Sequence, residues 1–275
     1  MNEQKEHPNF VLHLDLSALS DFESKEELNN ALLDYLDEII DDNNLNVCHI
    51  NNAGRYLKKI IRDAYEKFGK IVVLIDEYDK PLLDNITDPE KISYTRSLLH
   101  SFYSTFNACD KYIYFLFITG ISRFTKIGIF SSIKNLVDIS FSCDYSAIAG
   151  YTQDELEYYF RDWIKFTANK MNFSIDVLLS KMKEYYDGFC FDGKIKVYNP
   201  FSILSFLHTK VFKNFWYSSD SPSFIVHWMK KHHIQHPDEY RHIEVDIDFA
   251  DLCEIENAEP ASFLYQSGYL TIEKN

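Results

Sequence analysis

The 275-residue sequence is long enough for one large domain or two small ones with a sizeable core. Its 46% apolar and 16% aromatic content excludes a disordered chain. The net charge of −14 argues against a sequence-independent nucleic-acid surface, and we expect none. The five cysteines lie far apart without a C-x-x-C pair, and no apolar run could cross a bilayer. We therefore expect a cytoplasmic protein that makes no membrane contact.

The first part of the chain predicts strands that alternate with helices. Residues 10–16, FVLHLDL, are densely apolar and predict a strand. Ser24 and Glu27 form the S-x-x-E pattern of a capping box, and apolar residues at helical spacing follow them. A second helix is predicted over Gly54–Phe68 because its apolar residues also recur on one face. The run IVVLI at 71–75 predicts a strand that is buried on both faces of a parallel sheet.

The following segment continues this alternation. An amphipathic helix is predicted around Tyr94–Phe106, because apolar residues at helical spacing line one side of it. The apolar run YIYFLFI at 112–118 then predicts a further strand, and LVDISF at 136–141 predicts a shorter one. Alternating strands and helices predict a parallel α/β sheet.

From Gly150 on, helical patterns dominate the sequence. They are interrupted by the segment FCFDGKIKVYNP, which predicts a hairpin with Asp192–Gly193 as its turn. We therefore predict two domains, an α/β core at 1–148 and a mostly helical lid or winged-helix-like region at 149–275.

Two carboxylates, Asp76 and Glu77, directly follow the strand predicted at 71–75. Ligands of open α/β sheets bind beyond the carboxyl ends of the strands, so both side chains are predicted to lie where chemistry takes place. In P-loop NTPases this pattern is the Walker B motif, whose Asp helps to hold Mg²⁺. The adjacent Glu is placed to orient or polarise an attacking water. A core strand followed by an acidic loop gives the same pattern, so the pattern alone leaves both interpretations open.

Seven phrases that occur in order carry a resemblance to a known family: HPNFVLHLDLS, VVLIDEYDKPL, FITGISRFTKIGIFSSIKNLVDIS, IAGYTQDEL, YYDGFCF, YNPFSIL and FLYQSGYLTI. Together they resemble the bacterial AAA-ATPase-like proteins known as predicted AAA-ATPases. These are similar to the STAND and archaeal-type P-loop ATPases, and they often carry a nuclease-like domain of the PD-(D/E)xK class. The resemblance extends over residues 7–272.

The resemblance implies roles for four residues. Asp76 corresponds to the Walker B aspartate that holds Mg²⁺, and Glu77 to the catalytic glutamate. Thr119 falls at a sensor-like polar position, and Arg123 is a candidate phosphate-sensing or finger arginine. Mg-ATP is the cofactor of the family. A strand-end residue that satisfies backbone groups is an equal alternative for Thr119, and a surface salt bridge is the alternative for Arg123.

The sequence departs from the family at the phosphate loop. Family members carry a strand and a glycine-rich loop of the PRRFGKS type upstream of the HP…LDLS phrase, whereas no G-x-x-x-x-G-K-[ST] occurs here. The backbone N–H groups and the lysine of that loop form the phosphate cradle. We therefore expect a truncated, AAA+-like P-loop NTPase sheet with the strand order 2-3-4-(missing 1)-5. We expect it to be inactive alone and not to bind Mg-ATP. A protein or the missing N-terminal segment is the expected partner.

Three further interpretations stay open at the sequence level. A non-enzymatic protein-interaction scaffold is the main alternative. Asp187, Asp192 and Lys194 resemble a compressed nuclease triad, although turn chemistry explains the Asp–Gly pairs as well. The histidines between His227 and His242 could suggest zinc, but no cysteine or carboxylate is spaced to complete a tetrahedral set, and we expect no metal site.

Asp79 and Lys80 are expected to orient the loop of the DEYDKP phrase without taking part in chemistry.

Overall fold

The computed structural model describes residues 10–19, 22–122, 130, 133–215, 223–231, 243–245, 249 and 259–273. By compactness the chain divides into two units, Met1–Leu136 with His227–Ser267 and Val137–Val226 with Gly268–Asn275. Each unit is described by itself. The predicted division into domains at 1–148 and 149–275 stays a prediction.

The first unit is built on a three-stranded parallel sheet. Its strands are β1 (Val11–Asp15), β2 (Ile71–Asp76) and β3 (Ile113–Ile118), and β2 lies between the other two. Asp15 lies opposite Asp76 in the register between β1 and β2, and Ile75 lies opposite Ile118 between β2 and β3. The parallel arrangement follows from the crossover helices between the strands, because a tight hairpin can join only antiparallel strands.

Helices connect these strands and cover one face of the sheet. They are α1 (Lys25–Asp42), α2 (Ala53–Phe68), α3 (Lys80–Leu83) and α4 (Pro89–Ala108), followed by a 3₁₀ turn at Asp110–Tyr112. Ser24 caps the first helix as predicted, since its hydroxyl accepts from the Glu27 N–H at 3.1 Å. The Glu27 carboxylate accepts from the Glu23 N–H and not from the Ser24 N–H, so the reciprocal bond of a capping box is not the one that forms. The apolar stripes of the long helices are buried, as their helical spacing predicts: Leu28, Leu32 and Leu36 on α1, Leu57, Ile60 and Ile61 on α2, and Leu99, Phe102 and Phe106 on α4.

The two faces of the sheet differ in burial. Leu12 and Leu14 of β1 and Val73 and Ile75 of β2 are fully buried on the covered face. On the other face, Val72 and Leu74 are only partly buried. The prediction that the strand at 71–75 is buried on both faces is therefore wrong in part. A continuous apolar run shows that a strand can be buried on both sides, but not that both sides are covered.

The predicted strand at 136–141 is also wrong. Residues 136–139 have no regular secondary structure, and residues 140 and 141 lie in a turn. Val137 is 81% exposed, so its apolar side chain packs against no sheet. The three-strand order agrees with the expected central position of 71–75, whereas the complete order 2-3-4-(missing 1)-5 stays unconfirmed because its last strand is not formed. The segment's β-branched residues favour a strand, but a strand requires a partner edge to pair with.

The second unit contains helices and a small hairpin. The helices are α5 (Gln153–Tyr159), α6 (Arg161–Met171), α7 (Ile175–Tyr186) and α8 (Pro200–Thr209), and the antiparallel hairpin pairs β4 (Asp187–Cys190) with β5 (Lys196–Tyr198). The predicted hairpin is thus confirmed. The core of the second unit includes Leu156, Ile164, Leu178, Met182 and Phe206.

Two further helices are described, α9 (Ser223–Lys231) and α10 (Pro260–Gln266). Trp228 and Phe263 from these helices are buried and stack with 4.3 Å between their ring centroids. In the described part of the chain, no helix is both long and apolar enough to cross a membrane.

Candidate functional site

The carboxyl ends of the three parallel strands bring polar side chains to one edge of the sheet. Asp15 ends β1, Asp76 ends β2 and is followed by Glu77, and Thr119 follows β3. Three of these four residues were predicted from the sequence. Because the strands are parallel and in register, side chains that are far apart in sequence meet at this edge.

Asp76 is held directly by the strand beside it. The Thr119 hydroxyl lies within hydrogen-bond reach of Asp76 Oδ1, and the same hydroxyl is 3.3 Å from the carbonyl oxygen of Ile75. Asp76 Oδ1 also accepts from the Glu77 N–H at 3.1 Å. The Asp76 carboxylate is exposed and is fixed at one oxygen. Its other oxygen is therefore free of these contacts and is available to a cation.

Glu77 has an unusual backbone for its residue type. Its φ of 52° lies in the left-handed region, which costs a non-glycine residue about 1 kcal/mol or more. Its side chain is half-buried, and burial together with the negative charge of Asp76 raises the pKa of the carboxyl group. Both features are common at functional sites, where surrounding structure holds a group in a conformation that it would not otherwise adopt.

Asp15 belongs to this edge and was missed as a site residue. It lies opposite Asp76 in the register, and its carboxylate accepts from the Ser17 N–H at 2.9 Å, which lowers its pKa. Its charge also contributes to the raised pKa of Glu77. The signal was present in the sequence, because LHLD places an acid at the end of an apolar strand, as LID does at Asp76.

A buried aspartate joins the two loops that follow β2 and β3. Asp79 is fully buried, and its carboxylate accepts from the backbone N–H groups of Ile121, at 3.2 Å, and of Ser122. The Tyr78 N–H donates to the Thr119 carbonyl oxygen at 3.1 Å, and the Tyr78 hydroxyl donates to the Ser122 carbonyl oxygen. The loop that carries Asp76 and Glu77 is therefore bonded to the loop that carries Thr119.

Gly120 makes this close approach possible. A Cβ atom at this position would overlap the ring of Tyr78 and the carboxylate of Asp79. Tyr103 of α4 stabilises the contact between these two loops, since its buried hydroxyl donates to the Tyr78 carbonyl oxygen at 2.8 Å. Asp79 therefore orients its loop by accepting hydrogen bonds from the backbone of the loop that follows β3. Lys80 instead forms an ion pair with Asp84, at 2.6 Å.

Asp76 and Asp15 are the carboxylates of this edge that could hold a cation. Among the described residues, no group of three or more His, Cys, Asp or Glu side chains is arranged to hold a metal. Mg²⁺ usually keeps several waters and binds one or two carboxylates together with substrate phosphates. The carboxylate of Asp76, with that of Asp15 opposite, fits this type of coordination.

Several other predicted site residues lie outside the described part of the chain. Arg123 is one of them, so its phosphate-sensing role stays a prediction. The side chains of the histidine group are also not described: His227, His232, His233, His236 and His242.

In the hairpin, Asp192 Oδ1 accepts from the N–H groups of Lys194 and Ile195, each at 2.8 Å. The turn therefore uses this carboxylate, which favours turn chemistry over a nuclease role for Asp187, Asp192 and Lys194.

The buried position of Asp79 gives the free energy of unfolding a specific dependence on pH. Burial raises its pKa from 3.8 to about 6, so the folded state holds a proton more tightly than the unfolded state. The stability from this group is present below pH 3.8 and is lost as the pH rises through 6. The difference in unfolding free energy between the wild type and Asp79→Asn should therefore fall by about 2 kcal/mol from pH 4 to pH 7. Urea denaturation at each pH measures it.

The matched control is Asp192→Asn, because hydrogen bonds from the Ile195 and Lys194 N–H groups lower the pKa of Asp192. This aspartate titrates below its usual range, so its stability difference should stay constant between pH 4 and pH 7. A pH-independent difference for Asp79→Asn over the same range would show that burial does not raise the pKa of Asp79 above its value in the unfolded chain.

Comparison with known proteins identifies the class of the first part of the chain. A sequence model of the family described as "Predicted AAA-ATPase" matches residues 1–130, and this segment belongs to that family. The matched segment contains all three strands of the parallel sheet and the polar edge with Asp15, Asp76, Glu77 and Thr119.

One curated relative is described as "Uncharacterized protein in vnfD 5'region" from Azotobacter chroococcum mcd 1. It is 31% identical over 215 residues, which cover 78% of this chain and 39% of the relative. The chain thus matches about two fifths of the length of that protein. No solved structure matches the chain.

Proposed function

We propose that the first unit carries the Walker B half of an AAA-ATPase-like nucleotide site. The observation that carries this proposal is the position of Asp76 and Glu77 at the carboxyl end of the central strand, with the Thr119 hydroxyl against the Asp76 carboxylate. Asp76 would hold Mg²⁺, and Asp15 opposite it would orient water in the shell of the ion. A bound Mg²⁺ would neutralise charge on the transferred phosphoryl group.

Glu77 would act as the group that orients or deprotonates the attacking water. A general base works best with a pKa near the working pH, and burial together with Asp76 raises the pKa of Glu77 in that direction. The left-handed backbone turns the chain directly after Asp76, so two adjacent residues need not alternate across the sheet as in a regular strand. Thr119 would sense the state of the site through its contact with Asp76.

The chain lacks the other half of such a site. No G-x-x-x-x-G-K-[ST] loop is present in the sequence, so nothing of that type cradles the phosphates. In the described residues, β3 pairs only with β2, and no strand pairs with its second edge. This open edge is where the phosphate-loop strand would lie in the order 2-3-4-1-5, and the chain by itself would be inactive as an ATPase.

The proposal predicts that the purified chain does not turn over ATP above a buffer blank, with or without Mg²⁺. Without a phosphate cradle, Asp76 and Glu77 have no bound triphosphate on which to act. Phosphate release should therefore be unchanged in Glu77→Gln. If instead the chain hydrolysed ATP robustly and Glu77→Gln abolished the activity, a phosphate cradle of another type would have to exist.

A second candidate is a protein-interaction scaffold without enzymatic activity. The exposed aromatic side chains of β3 favour it, since Tyr114 is 69% exposed and Phe115 is 51% exposed on an apolar strand. A rise of the thermal midpoint with Mg-ATP would favour the nucleotide site, because a ligand that binds only the folded state stabilises it. An unchanged midpoint fits both candidates, because this chain has no G-x-x-x-x-G-K-[ST] loop.

A further inference from the structure

Helix α6 in the second unit presents two large aromatic side chains to solvent. Trp163 is 57% exposed and Phe166 is 47% exposed. The two lie three positions apart and therefore on neighbouring parts of one helix surface. The opposite side of α6 is occupied by Ile164, Thr167 and Ala168, which are buried in the core of the unit. The exposed rings are thus not required to fill that core.

Two lysine side chains lie beside the ring of Phe166. The Nζ atoms of Lys170 and Lys210 lie 5.9 Å and 5.3 Å from the ring centroid of Phe166. Lys210 follows α8, and its ammonium group also donates to the carbonyl oxygens of Leu207 and His208, which fixes it beside the ring. Lys165 is also exposed on α6, but it lies on another part of the helix surface, two residues from Trp163 and one from Phe166.

We propose that the surface formed by Trp163, Phe166, Lys170 and Lys210 binds single-stranded nucleic acid. Proteins bind single strands by stacking bases on aromatic side chains while nearby cations contact the phosphates. Ammonium groups within about 6 Å of an exposed ring provide both elements in one place. We name this set of four residues the α6 surface.

The net charge of the whole chain does not decide this question. Charges interact over about 8–10 Å at physiological ionic strength, so a bound strand responds mainly to the charges near it. Helix α6 carries Arg161, Lys165 and Lys170 against the single acid Asp162. The sequence-level expectation that no nucleic-acid surface exists rested on the total of −14, which averages over this local excess of positive charge.

A membrane surface is the less favoured partner for the α6 surface. Interfacial helices bury a continuous apolar face in the bilayer. Here the aliphatic side of α6 faces the protein core, and the exposed side has Asp162 and Asn169 beside the aromatic residues. Both polar groups would have to enter the headgroup region together with the rings, and this opposes insertion.

The test is fluorescence anisotropy of a labelled oligodeoxythymidine of about 20 nucleotides, titrated with the full chain at several salt concentrations. We expect a Kd on the order of 10⁻⁶–10⁻⁴ M, as for non-specific binding. Trp163→Ala should weaken binding about tenfold, because one stacking contact is lost. In Lys170→Glu/Lys210→Glu, log K should depend less steeply on log salt, by about 0.7 for each lost phosphate contact.

Matched controls come from α2 in the first unit. Tyr65→Ala removes an exposed aromatic ring, and Lys59→Glu/Lys70→Glu makes the same change in charge at exposed positions in and after this helix. Neither control should alter binding by the α6 surface. Circular dichroism of every variant shows whether it folds, and the exposure of Trp163 predicts that Trp163→Ala does.

Three results would overturn the proposal. The first is no binding of the oligonucleotide, and the second is binding that the α6 variants do not weaken more than the controls. The third is equally strong competition by poly-glutamate, which would indicate a partner recognised by negative charge alone. Vesicles of phosphatidylcholine and phosphatidylserine form the last arm. If the vesicles bind through Trp163 and the oligonucleotide does not bind, the partner of the α6 surface is a membrane.

Discussion

Adding a strand and a G-x-x-x-x-G-K-[ST] loop with its helix upstream of Phe10 should give this chain magnesium-dependent ATPase activity. The added strand would pair with the open edge of β3, parallel to it, and would bring the loop to the edge that carries Asp76 and Glu77. Backbone N–H groups of the loop would then bind the phosphates, and its lysine would contact the terminal phosphate groups. Release of inorganic phosphate measures the activity.

Glu77→Gln in this extended chain should lower the turnover by about a hundredfold to ten-thousandfold, the usual contribution of a general base. The amide keeps the size of the side chain but cannot accept a proton. Glu66→Gln on α2 is the matched control, since Glu66 is exposed and lies away from the strand ends. An extended chain that binds ATP and loses no activity in Glu77→Gln would show that Glu77 is not the base.

The second prediction concerns the solubility of the unmodified chain. A long apolar strand edge without a partner readily pairs with other chains. Tyr114 is 69% exposed on β3, so Tyr114→Lys should reduce aggregation several-fold while changing the free energy of unfolding little. A charge on an edge strand opposes pairing between copies because each copy would bury it. Light scattering during slow heating, at several protein concentrations, measures the effect.

Tyr158→Lys is the matched control for Tyr114→Lys. Tyr158 is 68% exposed and lies on helix α5, so the substitution changes size, charge and exposure in the same way without affecting a strand edge. We expect little reduction of aggregation in this control. Equal reduction in both variants would indicate that net charge, and not the edge of β3, limits the solubility.

The sequence by itself determined the local elements and the central strand of this protein. The apolar run 71–75 ends in Asp76 and Glu77, and the spacing of apolar residues on α1, α2 and α4 places their buried stripes. Both signals are local, because the side chains of a strand or helix report the burial of that element. The turn at Asp192–Gly193 was predictable for the same reason, since turn chemistry depends on a few neighbouring residues.

Only the tertiary structure decided which distant groups meet. The position of Asp15 opposite Asp76 depends on the strand register. The hydrogen bonds that Asp79 accepts from the N–H groups of Ile121 and Ser122 depend on the packing of two loops. The failure of 136–141 to form a strand has the same origin. A β-strand is stabilised by hydrogen bonds to a neighbouring strand, and the pattern of a segment does not show whether that neighbour is present.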